Sequence, residues 1–124
     1  LLGFKGRVHF QISPCINDEL DKLSAIDEKS ELLANILKVI DKAIHTNYKI
    51  YPGNYIAYDI LDGQKRFADR YTNKDQTTFA NYLNSQLAKI PNVTSKDKDF
   101  LTERILSMYA NPLKNQLIAL GQEA

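Results

Sequence analysis

His9 and His45 are the two side chains of this 124-residue chain suited to moving a proton near neutral pH. A catalytic imidazole needs a carboxylate to orient it. Ser13 and Pro14 stand four and five residues after His9, and Lys49 and Ile50 take the same places after His45. Neither histidine carries a local dyad, so both read as surface or half-buried polar residues, with His45 complementing the negative end of a helix. Cys15, the one cysteine, follows Pro14 outside any nucleophile motif and reads as a small half-buried hydrophobe. It cannot form an intrachain disulfide, which fits a reducing, cytoplasmic setting. The acidic runs NDELDKL and DEKSEL lack the ligand spacing of a calcium loop and look like helix starts. There is no glycine-rich phosphate loop, zinc spacing or G-x-S-x-G elbow. These residues assign no catalytic group, no metal and no cofactor.

Two clusters have the composition of contact surfaces. Tyr48, Tyr51, Tyr55 and Tyr58 recur at three- and four-residue intervals through YPGNYIAYD and its approach. A ring wants burial and its hydroxyl wants a polar partner, so such a wall suits an acyl chain, a neighbouring domain or a membrane interface; ordinary packing with hydrogen-bonded tips competes with that reading. Lys65, Arg66, Arg70 and Lys74 gather in QKRFADRYTNK, a composition that suits an anionic surface, although Asp69 and Asp75 dilute it.

The elements that position these residues follow from periodicity. Val8, Phe10 and Ile12 alternate with Arg7, His9 and Gln11, predicting one β-strand over about 4–13, closed by Pro14. The rest reads as helical. Asn17 and Asp18 cap a short helix over 17–23, and a long one over 28–46 carries Leu33, Ile36, Leu37, Ile40 and Ile44 on one stripe. Pro52 and Gly53 break it before a helix over 54–62 with a Gly63 stop. Asn73 with Gln76 predicts a start for a helix over 75–89 with an apolar edge of Phe79, Leu83, Leu87 and Ile90. Thr94 and Asp97 cap the next, over 96–110; Asn111 and Pro112 predict a kink or break before a terminal helix over 112–120 and a Gly121 stop.

The predicted class is therefore mainly α, a bundle-like single domain over residues 1–124 with one N-terminal strand. A strand needs a partner, and no second segment alternates over a comparable length. It is expected either at the edge of a sheet built by absent upstream residues or paired with a second copy as a homodimer. Leu1 is not preceded by an initiator methionine, which points to the same missing sequence.

Composition narrows the functions. Hydrophobic residues at 44% and charged residues at 25% allow a real core and argue against disorder. A net charge of +1 argues against a strongly electrostatic nucleic-acid binder. Apolar runs such as LLANIL and YIAYDIL fall far short of the roughly 20 residues of a membrane span.

FKGRVHFQISPCINDEL resembles the strand and acidic turn that follow the catalytic core in bacterial phospholipid/glycerol acyltransferases, the lysophosphatidic-acid-acyltransferase-like group. LKVIDKAIHTNYKIYPGNYIAYDIL is similar to the helical tail of some members, so the resemblance covers about residues 3–62. It implies the end of a larger α/β enzyme that transfers an acyl group to a glycerophosphate-type hydroxyl in phospholipid synthesis, peripheral to the inner membrane face. The family's H-x-x-x-x-D box is absent, since Pro14 and Ile50 stand where the aspartate belongs, and its E-G-T/S-R-type phosphate block is absent too. The expectation is a non-catalytic C-terminal portion, inactive alone, whose partner is the missing catalytic domain. The alternative expectation is a helical interaction or dimerisation module without enzymatic activity.

Overall fold

The computed structural model describes residues 8–92 and 94–124, the side chain of Lys96 excepted. Among these the chain forms five α-helices, α1 (Asn17–Asp21), α2 (Lys29–Asn47), α3 (Pro52–Asp62), α4 (Asn73–Leu87) and α5 (Ser95–Ala119), with a 3-10 turn at Ala68–Arg70. The mainly helical class expected from periodicity is what the chain adopts.

Each long helix starts on a cap. Glu28 precedes α2 and accepts from the amides of Ser30 and Glu31; the Ser30 hydroxyl, then those two amides, hold the Glu28 carboxyl below its usual value. At α4 the Thr72 hydroxyl accepts from the Asp75 amide at 3.2 Å while the Asp75 carboxylate accepts from the Thr72 amide at 2.8 Å. That reciprocal pair starts α4 at Asn73, earlier than the expected 75, because it is Thr72 and Asp75, not Asn73 and Gln76, that satisfy the free amides. The expected Thr94 cap on α5 is present, with its hydroxyl 3.2 Å from the Asp97 amide. Gly63 ends α3 at φ 70°, and Gly121 follows α5 at the same φ. There the Gln122 and Gly121 amides return to the Leu117 and Ile118 carbonyls at 2.9 and 3.0 Å, a closure that favours glycine.

Two expectations are corrected. The part of the expected strand that falls on described residues, 8–13, is irregular, and Val8, Phe10 and Ile12 are exposed; residues 4–7 lie outside the described residues. Alternation alone does not make a strand, and no described segment offers a ladder to it. The second correction is at Pro112, where the expected break is absent and α5 runs through as one helix of 25 residues. An interior proline costs about 3 kcal/mol, because the Met108 carbonyl loses its donor and crowds the ring. Leu106, Ala110, Leu113 and Leu117 are all buried, and each leucine contributes roughly 1.5–3 kcal/mol, so burial on both sides of Pro112 outweighs the proline.

The core is the packing of α3 on α5, closed by α4. Ile56, Ala57 and Tyr58 meet Leu106, Ala110, Leu113 and Leu117, and Phe79 completes the cluster. Phe79 stands edge-on to Tyr109 at 5.4 Å between ring centroids, and Tyr109 donates from its hydroxyl to that of Tyr82 at 2.8 Å. Burial pushes the Tyr109 phenol up to about 12, helped by that bond to Tyr82. Two buried polar side chains are satisfied within this core, Asn54 and Asp59. Asn54 accepts from the Tyr51 amide at 2.8 Å and donates to the Tyr109 carbonyl at 2.7 Å. Asp59 accepts from the Phe67 amide at 3.1 Å and the Tyr71 hydroxyl at 2.7 Å, pinning the loop between α3 and α4.

Candidate functional site

α2 differs from the other long helices in burying no residue. Its apolar positions form two adjacent rows. Leu32, Ile36, Val39 and Ala43 are half-buried, on the side that packs toward α1 and α5. Leu33, Leu37, Ile40 and Ile44 form the second row and stay open, at 56, 51, 36 and 53% exposure. Spacings of 4, 3 and 4 keep these four on one face. The buried residues of α5, Leu106, Ala110, Leu113 and Leu117, have the same spacing. One pattern thus occurs twice, covered on α5 and bare on α2.

The C-terminal end of α2 is fixed from outside. Its last carbonyls have no intrahelical donors, and the Gln116 side-chain amide of α5 reaches the carbonyls of His45, Thr46 and Tyr48 at 3.2, 3.2 and 2.9 Å. This clamp orients the open row. Beside Ile44 lies a cleft of about 480 Å³ walled by Val8, His9, Asn47, Tyr48 and Tyr51. Such a volume accommodates several apolar side chains; its walls hold no carboxylate to orient His9, and the Ser13 hydroxyl there donates to the Pro14 carbonyl at 3.2 Å. The His9 ring Nε2 lies 3.2 Å from the Gln11 side-chain oxygen, an exposed local contact.

The tyrosine cluster is divided by the fold. Tyr48 is exposed and Tyr51 half-buried, and both line the cleft. Tyr55 and Tyr58 belong to α3 and pack on Phe67, with ring centroids 5.3 and 5.5 Å away. The Tyr58 hydroxyl accepts from Arg66 at 3.4 Å. The four do not form one wall.

The basic group is similarly dispersed in role. Arg66 donates to the Glu123 carbonyl at 2.6 Å and lies 5.2 Å from the centre of the Phe67 ring. Arg70 pairs with Asp69 at 3.4 Å. Lys74 sits exposed in the first turn of α4, and Lys65 lines a second cleft of about 460 Å³ between α3 and α4. Asp59 and Tyr71 border that second cleft. The bond from Tyr71 to Asp59 is the main cause that raises the Tyr71 pKa, with burial adding to it. Each Asp59 oxygen already accepts a hydrogen bond, so this carboxylate holds a loop in place.

Cys15 is exposed, contrary to the expected half-buried position, because the irregular segment after Pro14 leads it past the face of α2 without packing it. Among the described residues no three or more His, Cys, Asp or Glu side chains gather as metal ligands. No described helix is long and apolar enough to cross a membrane.

Sequence reasoning located the α2 stripe but not its openness, and it missed Asn54, Asp59 and Gln116. The signal for the open row was present in the sequence. Leu32, Leu33, Ile36, Leu37, Val39, Ile40, Ala43 and Ile44 span an arc too wide for one short neighbouring helix to cover.

No family model, no curated protein and no solved structure matches the chain.

Proposed function

We propose that this chain is a non-catalytic helical interaction module whose working surface is the α2 row Leu33, Leu37, Ile40 and Ile44. The observation that carries this reading is the exposure of four large aliphatic side chains in one row, on a helix whose end is clamped to the core by Gln116. Soluble domains seldom leave so continuous an apolar strip bare unless something docks there. The cleft beside Ile44 holds His9 without a carboxylate to orient it, which favours binding over chemistry there.

The test is site-specific photo-crosslinking in the source cell from a probe replacing Leu37. A discrete adduct is expected from position 37 and none from position 103, where Glu103 is exposed on α5. Equal, diffuse labelling from both positions would sink the reading.

The acyltransferase reading uses the same surface differently. Under it, the α2 row packs on an upstream catalytic domain of the same polypeptide, and the chain by itself transfers nothing. Its support is the resemblance over residues 3–62.

A further inference from the structure

The geometry points to a small-molecule site between α3 and α4, taking an apolar molecule that carries a primary ammonium, with the Asp59 carboxylate as the group that receives it. None of its residues belongs to the α2 row, so it stands apart from the interaction-module reading.

The cleft between these helices holds about 460 Å³, within the range of roughly 300–1,000 Å³ usual for small-molecule sites. Ile56, Asp59 and Ile60 share one face of α3, and Gln76, Phe79 and Leu83 share one face of α4. Asp59 stands in the last turn of α3 and Gln76 in the first turn of α4, with Tyr71 in the loop between them, so the polar groups gather at the loop end. Ile56, Phe79 and Leu83, farther along both helices, make the other end apolar. An amphipathic molecule fits such a cleft with its head toward the loop.

Asp59 specifies the head. It is buried at 5% exposure yet lines the cleft, and among the described residues it forms no ion pair. Buried carboxylates ordinarily sit against a cation. Hydrogen bonds do the compensating here: Oδ2 accepts from the Tyr71 hydroxyl at 2.7 Å and the Phe67 amide at 3.1 Å, while Oδ1 takes only the longer arm of that shared amide, at 3.2 Å. A carboxylate offers about four acceptor positions, so Oδ1 keeps capacity for a charged donor. The bonds that hold the loop also hold the carboxylate ready.

Lys65 also lines the cleft, but it is exposed and makes no ion pair with Asp59. Its ammonium is strongly hydrated and its flexible stem lets it stay in water. An ammonium delivered on an apolar body differs, because burying that body against Ile56, Phe79 and Leu83 offsets the cost of desolvating the head. Other heads suit the cleft less well. A carboxylate would face the like charge of Asp59, and a neutral hydroxyl would leave that charge uncompensated.

Phenethylamine, protonated at neutral pH, is the probe, followed by amide proton–nitrogen correlation spectra of the purified chain. Saturable shifts are expected at the amides of Ile60, Gly63, Gln76 and Ala80, with a Kd of about 1 mM. Phenethyl alcohol, the neutral analogue of the same shape, should bind about tenfold more weakly, and hydrocinnamate, which carries the opposite charge, should produce no saturable shift. Ala80→Phe fills the cleft from an exposed position and should abolish the amine's shifts while keeping the helical circular dichroism and the melting temperature. Asp59→Asn should weaken the amine about tenfold or more; because that substitution also loosens the loop, the alcohol comparison and Ala80→Phe carry the test whatever its stability. Equal binding of alcohol and amine overturns the inference, as do shifts that Ala80→Phe leaves intact, or the absence of any saturable shift up to about 10 mM amine.

Discussion

The Asn54 side chain donates 2.7 Å to the Tyr109 carbonyl, joining the first turn of α3 to the turn of α5 that ends at Pro112. Its other atom accepts the Tyr51 amide, so one buried amide satisfies the start of one helix and a carbonyl of another. Asn54→Ala removes both bonds, leaving the Tyr51 amide without its side-chain acceptor and the Tyr109 carbonyl without its bond across to α3. A loss of about 1–2.5 kcal/mol is expected in urea unfolding, from an N-terminal bond worth about 1 and a second hydrogen bond worth about 0.5–1.5. Asn54→Asp keeps the acceptor but sets a carboxylate against a carbonyl, and should be no more stable than the alanine variant.

Asp59 ties α3 to the loop that leads into α4. Tyr71→Phe should cost about 1 kcal/mol, and Asp59→Asn roughly 1–3 kcal/mol, because the asparagine presents N–H groups to donors that need an acceptor. In the double variant the two losses should fall short of their sum, since both remove the same bond. Strict additivity would show that Asp59 acts through Phe67 alone.

Alkaline titration should find the Tyr109 phenol ionising late. Its folded pKa of about 12 stands above the ordinary phenol value of 10.0. Between those values the unfolded chain loses a proton that the folded one keeps, so stability is complete below the unfolded pKa and falls as pH rises toward the folded one. Tyrosinate absorbance should show Tyr109 ionising late, with Tyr71 also shifted upward by its bond to Asp59. Tyr82→Phe removes the hydroxyl that accepts from Tyr109 and should move that phenol earlier, while burial, the larger cause, keeps it late.

Gly53 offers a test of packing against propensity. Alanine is the better helix former by about 1 kcal/mol in a helix interior, yet a Cβ at Gly53 would meet Phe79 Cδ2 at 3.3 Å. Phe79 is buried between Gly53 and Tyr109 and has little room to yield. Gly53→Ala is therefore expected to leave the melting temperature unchanged or lower it, and a clear rise would show that Phe79 relaxes.

Much of the helical layout was legible because caps and stops act locally. Thr94, Gly63 and Gly121 work within four residues of their positions, and sequence spacing reports them well. The expected strand is absent from described residues 8–13 for the opposite reason: alternation at Val8, Phe10 and Ile12 describes a face, while a strand exists only through a partner elsewhere. The break expected at Pro112 is absent because the local cost of about 3 kcal/mol is offset by the burial of Leu113 and Leu117, which depends on α3 being there to receive them. The same limit hid the candidate site. Periodicity finds the apolar row of α2, but which neighbour covers it is decided by where α1 and α5 dock.

The Gln116 clamp also sets an order of events. It joins positions about 70 residues apart, so the end of α2 is secured only after α5 has formed and found α3. α2, with no buried residue of its own, belongs to the least protected end of the hydrogen-exchange spectrum, and the α3–α5 core to the most protected. α2 is then the helix expected to exchange its amide hydrogens first, and its bare row the part of the chain held least firmly.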